Sequence, residues 1–107
     1  MRPVAHGDLV AAALALMPVP PAARPRLLDR MILEAEAADH HRLTTGKAHP
    51  LWGTGSLMAA AMARPRPPEP ALENPDYAIC LVTVLERLIA RARGGSPASR
   101  IPRSAQD

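Results

Sequence analysis

The chain has 107 residues, of which 48% are hydrophobic and 21% charged, with 13 prolines and no phenylalanine. That length holds one domain and excludes a two-halved dinucleotide-binding fold or a closed α/β barrel. A single cysteine excludes an internal disulfide framework and a multi-cysteine zinc module, and no apolar run reaches the roughly 20 residues of a membrane-spanning helix, while the formal charge is +3.

Residues 1–7 read as a lead-in. Asp8 can cap a first helix in which Val10, Ala13, Leu14 and Met17 fall at helical spacing, and Pro18 stops it. A helix of about ten residues is too short to stand alone in water, so it must pack on something. The second helix begins after the Pro20–Pro25 stretch, since proline is tolerated in a first turn. Leu28, Met31, Ile32, Ala35 and Ala38 share one face, with Leu27 beside them, and Gly46 is a left-handed C-terminal stop. His49-Pro50-Leu51-Trp52-Gly53-Thr54-Gly55-Ser56 reads as an ordered loop, and Ser56 caps a short helix over Leu57–Ala63 that Arg64-Pro65 closes. Residues 65–71 form an extended, polyproline-like connector.

The last helix carries the clearest start signal. Asn74 caps it, Pro75 fills its first position, and Asp76 complements the positive end of the dipole. Tyr77, Leu81, Val84 and Leu88 form a stripe. Ile79, Val82, Leu85 and Ile89 add apolar positions, so only a narrow side of this helix is expected to be wet. Gly94-Gly95 ends it, and residues 94–107 read as a disordered basic tail. These elements predict an all-α fold: an irregular bundle of about four helices in one domain over residues 1–93. Helices two and four are expected to be the long antiparallel pair, with one and three across their ends.

The core is poor in large side chains. Alanine supplies 21 residues, and Trp52 and Tyr77 are the only aromatics. At about 25 cal/mol per Å2 of buried apolar surface, such a core leaves little surplus over chain entropy, and a partner or self-association would help. The basic excess is dispersed. Residues 21–48 carry five basic and four acidic side chains, and residues 73–93 carry three of each. A GC-rich genome accounts for the predominance of arginine together with alanine and proline. The apolar stretch Leu9–Met17 has Asp8 before it and no cleavage pattern after it, so it does not read as a signal peptide and the expected setting is cytoplasmic.

No constellation for catalysis stands out. Cys80 sits beside the Leu81 and Val84 face, where a thiol behaves as a small hydrophobe. Glu36 and His40 share a helix face, but a transition-metal site would need a third ligand, such as His6 or His49. Neither metal, cofactor nor enzymatic activity is therefore expected. Gly53, Gly55 and Ser56 open a helix, where free N–H groups can hold a phosphate or carboxylate, although the Gly-Lys-Ser/Thr of a phosphate loop is missing. Tyr77 reads as core. Trp52 reads equally as core filler or as an exposed anchor. Sequence-specific recognition by a helix-turn-helix is not expected, because Leu-Met-Ala-Ala-Ala-Met-Ala offers no base-reading side chain. Arg64, Arg66, Arg100 and Arg103 are left as candidates for unspecific phosphate contacts.

The strings His49-Pro50-Leu51-Trp52-Gly53-Thr54-Gly55-Ser56-Leu57-Met58-Ala59 and Glu73-Asn74-Pro75-Asp76-Tyr77, with the His6-Gly7-Asp8 opening, carry a resemblance. Over roughly residues 1–92 the chain resembles a family of small uncharacterised alphaproteobacterial proteins. More loosely, it is similar to accessory proteins of phage-derived gene transfer agents, which regulate their expression or help package DNA. A small terminase subunit would need a long antiparallel hairpin, which the proline breaks oppose. No catalytic residue transfers from the resemblance.

The expected function is that of a non-catalytic adaptor or accessory regulator, docking on a larger protein through Leu51, Trp52, Leu57, Met58 and Met62. The alternative is a nucleic-acid-associated regulator or packaging accessory, whose mark would be DNA binding that weakens with salt.

Overall fold

Ala11 to Leu16 form an unbroken buried run in the computed structural model, which describes residues 1–94. Among these residues there are four α-helices: α1 (His6–Leu16), α2 (Arg24–Thr45), α3 (Leu57–Met62) and α4 (Pro75–Ala92). A single 3-10 turn, Pro21–Ala23, leads into α2, and an isolated bridge between His49 and Gly53 takes the place of any strand. No described helix is long and apolar enough to cross a membrane.

The short first helix is the centre of the bundle. α1 packs on α3, on α4 and on α2, whereas α2 and α4 meet mainly through side chains. The reason lies in its composition. A helix that is apolar all round has no face to give to water, and alanine lets neighbouring backbones approach closely. A stripe through Val10, Ala13, Leu14 and Met17 therefore understated the burial: Val10 and Met17 are half-buried, while Ala11, Ala12, Ala15 and Leu16 are enclosed.

The long pair is parallel, contrary to expectation. Arg24 pairs with Asp76, Asp29 with Arg87, and Glu36 with Arg91, so the two N-termini lie at the same end. The proline-rich connector makes this arrangement reachable. At about 3.1 Å per residue, an extended segment of this kind carries the chain back along the length of α2 before α4 begins.

Other local readings hold. Leu28, Met31, Ile32, Ala35 and Ala38 are buried, and Gly46 ends α2 at φ +74°. Ser56 accepts from the Ala59 N–H, and Asn74 accepts from the Tyr77 N–H, each capping its helix. Tyr77 is fully buried. The start of α1 differs: the helix begins at His6, and Asp8 lies inside its first turn, reaching back to the Ala5 N–H at 2.7 Å. The outer side of α4 differs as well. Ile79, Val82, Leu85 and Ile89 are all exposed, because only Tyr77, Cys80 and Val84 are enclosed against the bundle. The proposed tail from residue 95 onward lies outside the described residues.

Candidate docking surface

His49 organises the loop between α2 and α3. Its backbone N–H donates to the Gly53 carbonyl at 2.7 Å, and the Gly53 N–H returns to the His49 carbonyl at 3.1 Å. Its Nδ1 accepts the N–H groups of Leu51 at 3.0 Å and Trp52 at 3.2 Å. The imidazole then stacks on the Trp52 ring, with centroids 4.5 Å apart, and meets His41 edge-on. Trp52 is half-buried on this imidazole and takes no part in the main core. Its ring holds the turn, and the side chain presented at the tip is Leu51, 73% exposed.

The turn rests on α3. A methyl group at Gly53 would lie 3.0 Å from the Ala59 side chain, which shows how closely the two approach. Met58 and Met62, one helical turn apart on α3, are both exposed. Leu57 is not part of this surface. It is completely buried with Leu16, Leu28 and Tyr77, because its position one residue before Met58 points it inward. Four of the five sequence-derived docking residues thus remain accessible to some degree: Leu51, Trp52, Met58 and Met62.

The expected anion site is already filled by the protein itself. The Asp8 carboxylate accepts the Met58 N–H at 2.8 Å, and the Ser56 hydroxyl accepts that of Ala59 at 3.0 Å. Gly55 is buried, with its carbonyl accepting from the Arg2 N–H and its Cα pressed against Asp39. The glycines serve a tight approach of backbones. They do not form an open cradle.

Arg64 is likewise engaged. Its guanidinium forms a fork on Glu34, with both bonds at 2.8 Å, and a third bond to the Ala60 carbonyl. Arg66 is exposed, while Arg100 and Arg103 lie outside the described residues. Glu36 meets Arg91, and among the described residues no three histidine, cysteine or acidic side chains come together as a metal site.

Sequence reading missed Arg24, whose guanidinium makes five hydrogen bonds. It is buried, its Nε donates to the Leu16 and Val19 carbonyls, and one terminal nitrogen donates to that of Met17. The terminal nitrogens also form a fork on Asp76 at 2.9 and 3.1 Å. One cation therefore satisfies carbonyls at the C-terminus of α1 while joining the N-termini of α2 and α4. The only signal was an arginine inside a proline-rich turn, and nothing local announced its partner 52 residues away.

Two buried groups have shifted titrations. Burial, reinforced by the hydrogen bond to Glu69, pushes the Tyr77 phenol up to about 12. Burial also raises the Cys80 thiol, which favours the protonated form and suits its role as a core filler.

Comparison with curated proteins and with solved structures finds no match. Residues 2–88 match the family described as Domain of unknown function (DUF7742), and the chain belongs to that family.

Proposed function

We propose that the protein is a non-catalytic helical adaptor that docks on a larger protein through the Leu51–Trp52 turn and the exposed edge of α3. The observation that carries this reading is the rigidity with which Leu51 is presented. Two N–H bonds to His49, the His49–Gly53 bridge and the Trp52 stack hold an exposed leucine at the tip of a turn. A preorganised apolar anchor loses little entropy on binding. Met58 and Met62, exposed on α3, supply adaptable contacts.

Capture of partners from the native cells by tagged protein tests this reading. The wild type should retain a specific protein that Leu51→Ser with Met62→Ser loses, while circular dichroism stays unchanged. Equal recovery by both would defeat the proposal.

A second reading is a nucleic-acid-associated accessory. Arg26 and Arg30 are exposed one turn apart on α2, and Arg66 is exposed on the connector. Binding to duplex DNA that falls steeply with salt would support it; no retardation at low salt would exclude it. The resemblance to a family of small alphaproteobacterial proteins, and more loosely to accessory proteins of phage-derived gene transfer agents, accommodates both readings, transcription control for the first and DNA packaging for the second. A cytoplasmic setting belongs to either.

A further inference from the structure

α4 is apolar on two sides, and the bundle covers one of them. Tyr77, Cys80 and Val84 are enclosed. On the other side Ile79, Val82, Leu85 and Ile89 are between 44% and 57% exposed. Their spacing by three or four residues keeps them in one stripe along a helix of 18 residues, about 27 Å long.

The charges that flank α4 are opposite in sign. Glu73 precedes the helix and Arg93 follows it; both are exposed, and neither has an ion-pair partner among the described residues. The charged groups nearer the bundle are engaged elsewhere, with Asp76 on Arg24 and Arg91 on Glu36.

We propose that a second copy of this chain covers the stripe, its α4 packed antiparallel to the first about a two-fold axis that crosses the stripe between Val82 and Leu85, at the height of residue 83. Thr83 lies midway between Glu73 and Arg93, so this axis sets each Arg93 against Glu73 of the second copy. An apolar stripe on a helix that an acidic residue precedes and a basic one follows is its own complement under that rotation. The parallel alternative would oppose Arg93 to Arg93 and Glu73 to Glu73. The antiparallel arrangement also aligns the helix dipoles favourably.

The same axis brings Val82 near its own counterpart and places Ile79 and Ile89 at staggered heights, where they interdigitate. Glu86, at the edge of the stripe, falls about 9 Å along the helix axis from its mate, so these like charges do not oppose each other directly. A seam of this length lies toward the small end of stable interfaces, so the dimer dissociates on dilution.

Sedimentation equilibrium of the full chain from low to high micromolar concentration tests the proposal. The wild type should show a monomer–dimer equilibrium. Val82→Glu with Ile89→Glu should remain monomeric throughout, with unchanged helical circular dichroism; Val82→Ser with Ile89→Ser repeats the test with smaller groups. Arg93→Glu or Glu73→Arg alone should weaken the dimer several-fold, and the two together should restore it. A wild type that is monomeric at every concentration overturns the proposal. So does a dimer undiminished by either pair of stripe substitutions, or a double charge reversal no stronger than the single ones.

Discussion

The Asp8 carboxylate accepts the N–H of Met58 at 2.8 Å through one oxygen and that of Ala5 at 2.7 Å through the other. A single buried side chain thereby closes the first turns of α1 and α3 together, across 50 residues of sequence. Negative charge at two helix N-termini is favourable, and each bond satisfies a donor that has no partner within its own helix.

Asp8→Ala should therefore destabilise the fold by about 1–3 kcal/mol, because two donors lose a charged acceptor. Asp8→Asn should cost less, since its amide oxygen still accepts one N–H. Urea unfolding followed by circular dichroism measures both. Equal stability of all three proteins would contradict the shared-cap assignment.

Arg24→Ala should be among the most damaging substitutions in the chain, at about 3–5 kcal/mol, because it strands buried carbonyls and leaves Asp76 without its cation. Arg24→Lys should not rescue it, since an ammonium cannot reproduce a planar fork directed at Asp76 and three carbonyls at once. Asp76→Asn should cost no more than about 1 kcal/mol, because Asp76 is half exposed to water. Denaturant midpoints should rank the three in that order.

Two glycines of positive φ should respond differently to alanine. Gly46 (φ +74°) has open space around it, so Gly46→Ala carries only the left-handed backbone penalty of about 1–2 kcal/mol. Gly55 (φ +97°) would place a methyl 2.6 Å from the Asp39 Cα and 2.8 Å from its backbone nitrogen, an overlap that only a shift of α2 or the loop can relieve. Gly55→Ala should thus unfold at a clearly lower temperature than Gly46→Ala.

Stability should fall at both extremes of pH. The hydrogen bond from Arg42 holds the Asp39 carboxyl below its ordinary range. Its contribution is complete above the unfolded value of about 4 and disappears as pH falls through the lower folded value. Tyr77 has the opposite sign. Its protonated form is favoured in the fold, so its contribution is complete below about 10 and is lost as pH rises toward about 12. Asp39→Asn should flatten the acid limb, and Tyr77→Phe the alkaline limb, of stability measured by urea unfolding across pH.

Helix identities and boundaries were largely legible in local sequence because their causes are local. Asn74-Pro75 starts α4, Ser56 caps α3, Gly46 ends α2, and the Leu28–Ala38 face repeats at helical spacing. The Trp52 loop was recognisable as ordered from its proline and glycines, yet its organiser, His49, became visible only when the ring lay against Trp52. Leu57 and Met58 show the limit of composition. Both are apolar, and their different fates depend on which side of a six-residue helix faces α1.

The arrangement of the helices was decided in three dimensions. Periodicity marks an apolar side but does not say which neighbour covers it, so the exposed stripe of α4 looked like a second buried face. Arg24 with Asp76, Asp8 with Met58, and Gly55 with Asp39 join residues far apart in the chain, and the first of these, with Asp29–Arg87 and Glu36–Arg91, sets α2 and α4 parallel. Local backbone preference writes the helices into the chain; long-range charge pairing and close packing, which depend on distance in space, determine how they assemble.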